Sequence, residues 1–311
     1  MPIEIKKYNL AHKAEWDDFI RKSKNGTFLL LRDYMEYHKD RFIDSSLLFY
    51  KEGKLCALLP ANIEEKNLFS HKGLTYGGLV FDTLITTKGV LDIFSSLRKW
   101  MKKMNVDHLY YKPTPHIYHQ SPSEEDLYAL FRNGARLITR NISSALNYSN
   151  IPNYSSQRKR GLSKARRENF SVEESADFGG FWHILSKNLN EKYNVAPTHS
   201  SDEIMYLETR FPQNIKLYTV FQKGSIASGC VLYITDTVAH IQYVAATDEG
   251  KRNGAIDLLV DYLINKYRDK SYFDYGISTE QNGLYLNEQL IHQKEGFGLR
   301  GIVYDTYLIE S

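Results

Sequence analysis

The chain has 311 residues, long for one hydrophobic core when compact domains cluster at roughly 100 to 150 residues, so two domains are expected. Its 42% hydrophobic and 25% charged residues are those of an ordinary folded protein and exclude global disorder. A net charge of +3 is too small to demand a polyanionic partner, which has to be argued from local clusters instead.

In chain order, Met1 to Trp16 mixes Lys6, Lys7 and Lys13 with acidic residues and lacks the apolar stretch of a signal peptide. Apolar runs such as Phe28 to Leu31 fall far short of the roughly 18 to 20 residues that span a bilayer, so no integral membrane segment and a cytoplasmic location are expected. A helix-like Met35-Glu36-Tyr37 leads to Arg41-Phe42. Leu47 to Tyr50 and Leu55 to Leu59, joined by Lys51-Glu52-Gly53-Lys54, read as a hairpin whose glycine supplies the positive φ. Leu74-Thr75-Tyr76 reads as a strand, and Thr86-Thr87-Lys88-Gly89 opens a helix with Val90, Ile93, Phe94, Leu97, Met101 and Met104 at core spacing. A strand over Asp107 to Tyr111, a helix closing on Gly134 and a strand over Ala135 to Leu146 complete this half. His116 and His119 lie in a proline-marked loop without an acidic or cysteine partner at ligand spacing, so no metal is expected. Cys56 and Cys230 sit in apolar strand-like runs and read as inert core thiols.

The second half repeats these landmarks in order. Met205-Tyr206-Leu207 precedes Arg210-Phe211, and Tyr218 to Phe221, Gln222-Lys223-Gly224-Ser225 and Ile226 to Leu232 form a second hairpin. Ile241-Gln242-Tyr243 matches the first strand with a central tyrosine. Gly254 to Asp257 matches Gly89 to Asp92, and a strand over Tyr272 to Tyr275, a helix ending near Gly296 and a strand over Leu299 to Ile309 follow. The offset is roughly 160 to 170 residues throughout, the mark of a tandem duplication. The expected organisation is residues 1–150, a basic linker helix over 151–170, and residues 171–311. Each half alternates helices with strands after a hairpin, so an α/β fold with a mixed sheet flanked by helices is expected twice.

His240 to Ala246, then Thr247 to Gly254, then a helix, resemble the strand, pyrophosphate loop and helix of GNAT acyltransferases. Leu284-Tyr285 through Lys294-Glu295-Gly296-Phe297 resembles the common GNAT ending, with a helical tyrosine before a Lys-x-Gly-Phe turn. Two such halves make the chain similar to the FemABX-like branch of tandem GNAT enzymes. The resemblance implies an N-acyltransferase with acyl-CoA, such as acetyl-CoA, as co-substrate. The acceptor it implies is an amine on a sugar or cell-envelope precursor, small or nucleotide-linked. It also implies an alternative donor, aminoacyl-tRNA, and a second alternative, a non-catalytic binding module. The loop departs from the usual Gln/Arg-x-x-Gly-x-Gly/Ala at its last position, where Ile256 stands.

Physically, Gly250, Lys251, Arg252, Asn253, Gly254 and Ala255 offer amides, glycines and cations at a helix N-terminus, an anion cradle. The transferase reading leans on residues 248–255 presenting free amide hydrogens to a carrier's phosphates. The first half carries Thr86 to Gly89 there, with less basic charge, and is expected to have lost donor binding. In the dense basic run Gln157 to Arg167, residues Arg160, Lys164 and Arg167 share a helix face suited to phosphate or carboxylate oxygens, and DNA is not the expected partner because interleaved aromatics are sparse. Amine attack on a carbonyl needs a base, a stabilised oxyanion and a protonated leaving group. Glu280, in a polar loop after a strand, is the expected base. His240 is a second candidate of near-neutral intrinsic pKa, and by resemblance Tyr285 takes the place of the leaving-group acid.

Overall fold

In the computed structural model residues 3–311 are described; Met1 and Pro2, the start of the segment read as lacking a leader, lie outside the described residues. The chain forms two compact units, one comprising the chain up to Ile142 with Thr279–Tyr285 and Val303–Ser311, the other Ser143–Ser278 with Leu286–Ile302.

In the first unit the hairpin Leu47–Lys51 and Lys54–Leu59 extends on either side to Ile3–Lys7 and Val80–Phe81, a four-stranded antiparallel sheet. A second set of strands runs in the order Ile43–Asp44, Asn62–Glu64, Asn67–Phe69, His108–Tyr111 and the C-terminal residues of Arg300–Glu310. Helix Thr87–Lys103 is capped by the Thr86 hydroxyl, which accepts from Gly89 N–H at 3.2 Å. It buries Val90, Ile93, Phe94, Leu97 and Met101, each such side chain contributing about 1.5–3 kcal/mol. Met104 lies past the helix end and is exposed, contrary to the core stripe expected. The expected strand Leu74-Thr75-Tyr76 does not form. Gly73, Gly77 and Gly78 make the segment irregular, and Tyr76 is buried by side-chain packing, its hydroxyl 3.2 Å from Thr27 Oγ1.

In the second unit one mixed sheet runs Ser171–Ser175, Ile215–Gln222, Ser225–Ile234, Val238–Ala246, Tyr272–Ile277 and the end of Arg136–Asn147. All neighbours are antiparallel except Val238–Ala246 with Tyr272–Ile277. Helix Ala255–Lys266 packs Ala255, Leu259, Val260, Leu263 and Ile264 into its core. Helix Ser156–Arg167 is locked to it by Arg158 and Asp257, 2.7 Å apart and both mostly buried. The glycine expected to end helix Glu288–Glu295 does so without a left-handed turn, since Gly296 has φ −59° and the positive φ falls on Gly298.

Candidate functional site

The second unit's sheet opens at one place. Val238, Ala239 and His240 pair in parallel with Tyr272, Phe273 and Asp274, and the pairing ends there although the first strand runs on to Ala246. Two irregularities cause the parting. Gln242 is an extra residue against Ser225–Ile234, since Val231 faces Tyr243 and Leu232 faces Ile241. On the other strand the register with Arg136–Asn147 shifts between Asp274 and Ile277, where Gly276 takes φ +77°. Bulges bend strands and re-aim side chains. The result is a fork at the carboxyl ends of two parallel strands, the position where α/β sheets receive ligands.

His240 and Asp274 stand at the apex of this fork. His240 Nδ1 lies 2.8 Å from Asp274 Oδ2, and the fully buried Asp274 also accepts from Ser143 Oγ at 2.5 Å and Gly276 N–H at 3.2 Å. Converging donors suit an ionised carboxylate, which draws the imidazole proton to Nδ1 and leaves the lone pair on Nε2. Lys294, on helix Glu288–Glu295, is 3% exposed and donates from Nζ to the carbonyls of Gly276 at 2.7 Å and Ile277 at 2.8 Å. Burial lowers its ammonium from the usual 10.5 to about 8, with Asp274 opposing the shift. Next in the chain, Ser278 Oγ is buried without a hydrogen-bond partner. A positioned imidazole, a weakly held ammonium proton and an unpaired hydroxyl together can take a proton, give one and bind an oxygen.

The sequence-predicted cradle differs. Asp248–Asn253 is a short helix, not an open loop: Thr247 caps it, its hydroxyl accepting from Gly250 N–H at 3.0 Å and its carbonyl from Lys251 N–H at 2.8 Å. Threonine is a strong N-cap, so the Gly250 and Lys251 amides are engaged within the chain, whereas helix Ala255–Lys266, which starts on Gly254, has no side-chain cap. Gly254 N–H donates to the Gly250 carbonyl, and Ala255 is buried. Lys251 Nζ donates to Asn188 Oδ1 at 2.8 Å and to Asp248 at 3.2 Å, while Arg252 is exposed and Asn253 half-buried. Gly254 takes φ +80° against the backbone of Gly161, where a Cβ would strike the Gly161 carbonyl. Gly254→Ala is therefore expected to lower stability by about 2–4 kcal/mol in urea unfolding.

That contact joins two segments read separately in the sequence. Lys164 Nζ donates to the Arg252 carbonyl at 2.9 Å, so the basic helix lies directly against Asp248–Asn253. Arg158 and Arg166 face Asp257 and Asp261 and hold the helix in place. Arg160, Lys164 and Arg167 are exposed.

Glu280 and Tyr285 belong to the first unit, His240 to the second. Tyr285 is not helical as expected; it is exposed in a short strand, because Gly283 packs against the backbone of Arg140 and turns the segment into a hairpin with Thr279–Glu280. Glu280 is exposed. Sequence reasoning missed Asp274, Lys294 and Ser143. A glycine two residues after an aspartate in an otherwise apolar strand, Asp274-Tyr275-Gly276, was the available signal of a bulge beside a buried charge. Cys56 and Cys230 are buried, and burial raises both thiols, Cys56 to about 11.

No protein-family model and no curated protein matches the sequence. Solved structures do match in fold. A structure of FemX is similar with a TM-score of 0.67 at 12% identity, over 97% of this chain and 96% of that one. The C-terminal domain of a putative lysylphosphatidylglycerol synthetase from Agrobacterium fabrum gives 0.62 at 12% identity, over 97% and 93%. A tandem GNAT protein from the clavulanic acid biosynthesis pathway gives 0.52 at 10% identity, over 99% and 98%. The chain thus shares the tandem GNAT-like fold of these structures. Among the described residues no helix is long and apolar enough to cross a membrane.

Proposed function

We propose that the chain is an N-acyltransferase whose chemistry takes place at the fork in the second unit, with His240 as base and Lys294 as proton donor. The observation that carries this reading is the His240–Asp274 pair where the parallel strands part, with buried Lys294 on the carbonyls of Gly276 and Ile277. An acceptor amine loses a proton to His240 Nε2 as its nitrogen attacks the acyl carbon. The tetrahedral intermediate collapses with breakage of the bond to the donor's oxygen or sulfur, which leaves with a proton from Lys294. The raised thiols of Cys56 and Cys230 favour direct transfer over an acyl-cysteine intermediate.

For the donor, the Gly250 and Lys251 amides held by Thr247 and the exposed Arg160, Lys164 and Arg167 favour binding by side-chain cations over a surface. Spaced cations suit the phosphates of a polynucleotide better than one compact pyrophosphate, so we place aminoacyl-tRNA first. Acyl-CoA is the second reading, favoured by the position of Asp248–Asn253 directly after the strand that lines the fork. The acceptor remains an amine on a sugar or cell-envelope precursor.

The test is binding of total charged tRNA and of acetyl-CoA to the whole chain, followed by salt titration. Replacing Arg160, Lys164 and Arg167 together with alanine is expected to weaken tRNA binding by about 10- to 100-fold and to flatten its salt dependence by about two to three counterions. Equal tRNA affinity in the variant removes the first donor. Stabilisation by acetyl-CoA that is lost in Lys251→Ala/Arg252→Ala establishes the second.

A further inference from the structure

The first unit holds a cavity of about 650 Å³ that none of the chemistry above uses. Its floor includes Arg32, whose guanidinium stacks on Tyr8, 3.6 Å from the ring centre, and donates to Glu36 at 2.9 Å, to Asp44 and to Ser46 at 3.3 Å. Every side of that cation is occupied by the chain, so it is not set to clamp a phosphate. Glu36 and Asp44 keep part of their carboxylates exposed, and together with Arg32 and Lys39 they leave the lining without net charge.

His71 lines the same cavity. It is 3% exposed, takes φ +55°, and its Nδ1 is buried without a hydrogen-bond partner. Burial, reinforced by nearby His38, Lys112 and Arg32, lowers its pKa to about 3, so the ring is neutral. A buried residue held in the left-handed region with an unpaired ring nitrogen is a strained, under-satisfied feature of the kind that marks ligand sites. Apolar surface completes the lining: Phe42, with its ring 5.3 Å from that of His71, and Leu10, which is 77% exposed at the rim.

We infer that this cavity binds a neutral saccharide ring, its hydroxyls donating to Glu36 and Asp44, its C–H face against Phe42 and Leu10, and one polar atom meeting His71. Carboxylate acceptors beside an apolar ring match the two faces of a pyranose, and the absence of net charge gives an anion no advantage. The inference does not depend on acyl transfer, because binding is read without turnover.

Saturation-transfer NMR on the full chain with methyl α-glucopyranoside, methyl α-galactopyranoside and N-acetylglucosamine tests it. Ring protons of at least one are expected to be saturated, and Phe42→Ala and His71→Phe to weaken that binding by about tenfold or more. Leu10→Glu, at an exposed site that leaves folding intact, is expected to weaken it likewise at an unchanged melting temperature. Absence of saturation with all three sugars overturns the inference, as does binding indifferent to Leu10→Glu and Phe42→Ala. So does binding of glucose 1-phosphate in the cavity in place of every neutral sugar.

Discussion

Replacing Lys294 with methionine is expected to slow acyl transfer by about 10²- to 10³-fold while changing stability at neutral pH by no more than about 2 kcal/mol. The two effects separate because the ammonium is held at a cost. Burial brings its pKa from 10.5 to about 8, so below pH 8 the folded chain carries an unfavourable buried charge of order 3 kcal/mol. Between pH 8 and 10.5 the unfolded chain binds more protons than the folded one, so this group makes stability rise with pH across that window. Methionine removes the charge, which offsets most of what the carbonyls of Gly276 and Ile277 lose with their donor. Activity has the opposite slope. A proton donor works only while protonated, so with Lys294 in that proposed role the wild-type rate is expected to fall as pH rises through about 8, and the methionine variant to have no such limb.

The second large effect is expected at His240. His240→Gln removes the proposed base and is expected to lower single-turnover transfer by about 10²- to 10⁴-fold, with donor affinity changed less than about threefold. Asp274→Asn places an amide N–H where a carboxylate now accepts from Nδ1, Ser143 and Gly276, and so favours the wrong tautomer. Its loss is expected to be of the same order. Glu280→Gln is the comparison: exposed on the hairpin of the first unit, it is expected to cost less than about threefold. A larger loss at Glu280 than at His240 would return the base to the loop where the sequence suggested it.

Local pattern made much of the fold legible. The glycine turns at Gly53 and Gly224 do take positive φ, and the stripe Val90 to Met101 is core, because each rests on neighbours within a few turns of chain. Leu74 to Tyr76 misled because a buried tyrosine looks the same in a sequence whether a ladder or a hydroxyl contact holds it. The candidate cradle was legible only in part. Glycines and cations after a strand were visible, but Thr247 turning its acceptors onto Gly250 and Lys251 was a capping choice, and the cover over Gly254 comes from Gly161, distant in sequence. The fork was least legible, since it arises from two single-residue irregularities, at Gln242 and Gly276, that periodicity averages away.

The most direct measurement is the rate at which the chain discharges total tRNA carrying radiolabelled amino acids, and separately acetyl-CoA, into a panel of amino sugars across pH 6 to 10. The account predicts amine-dependent product from one donor in wild type, a falling limb near pH 8, and loss of product in both His240→Gln and Lys294→Met. No amine-dependent discharge of either donor, or discharge unchanged in those two variants, would contradict it.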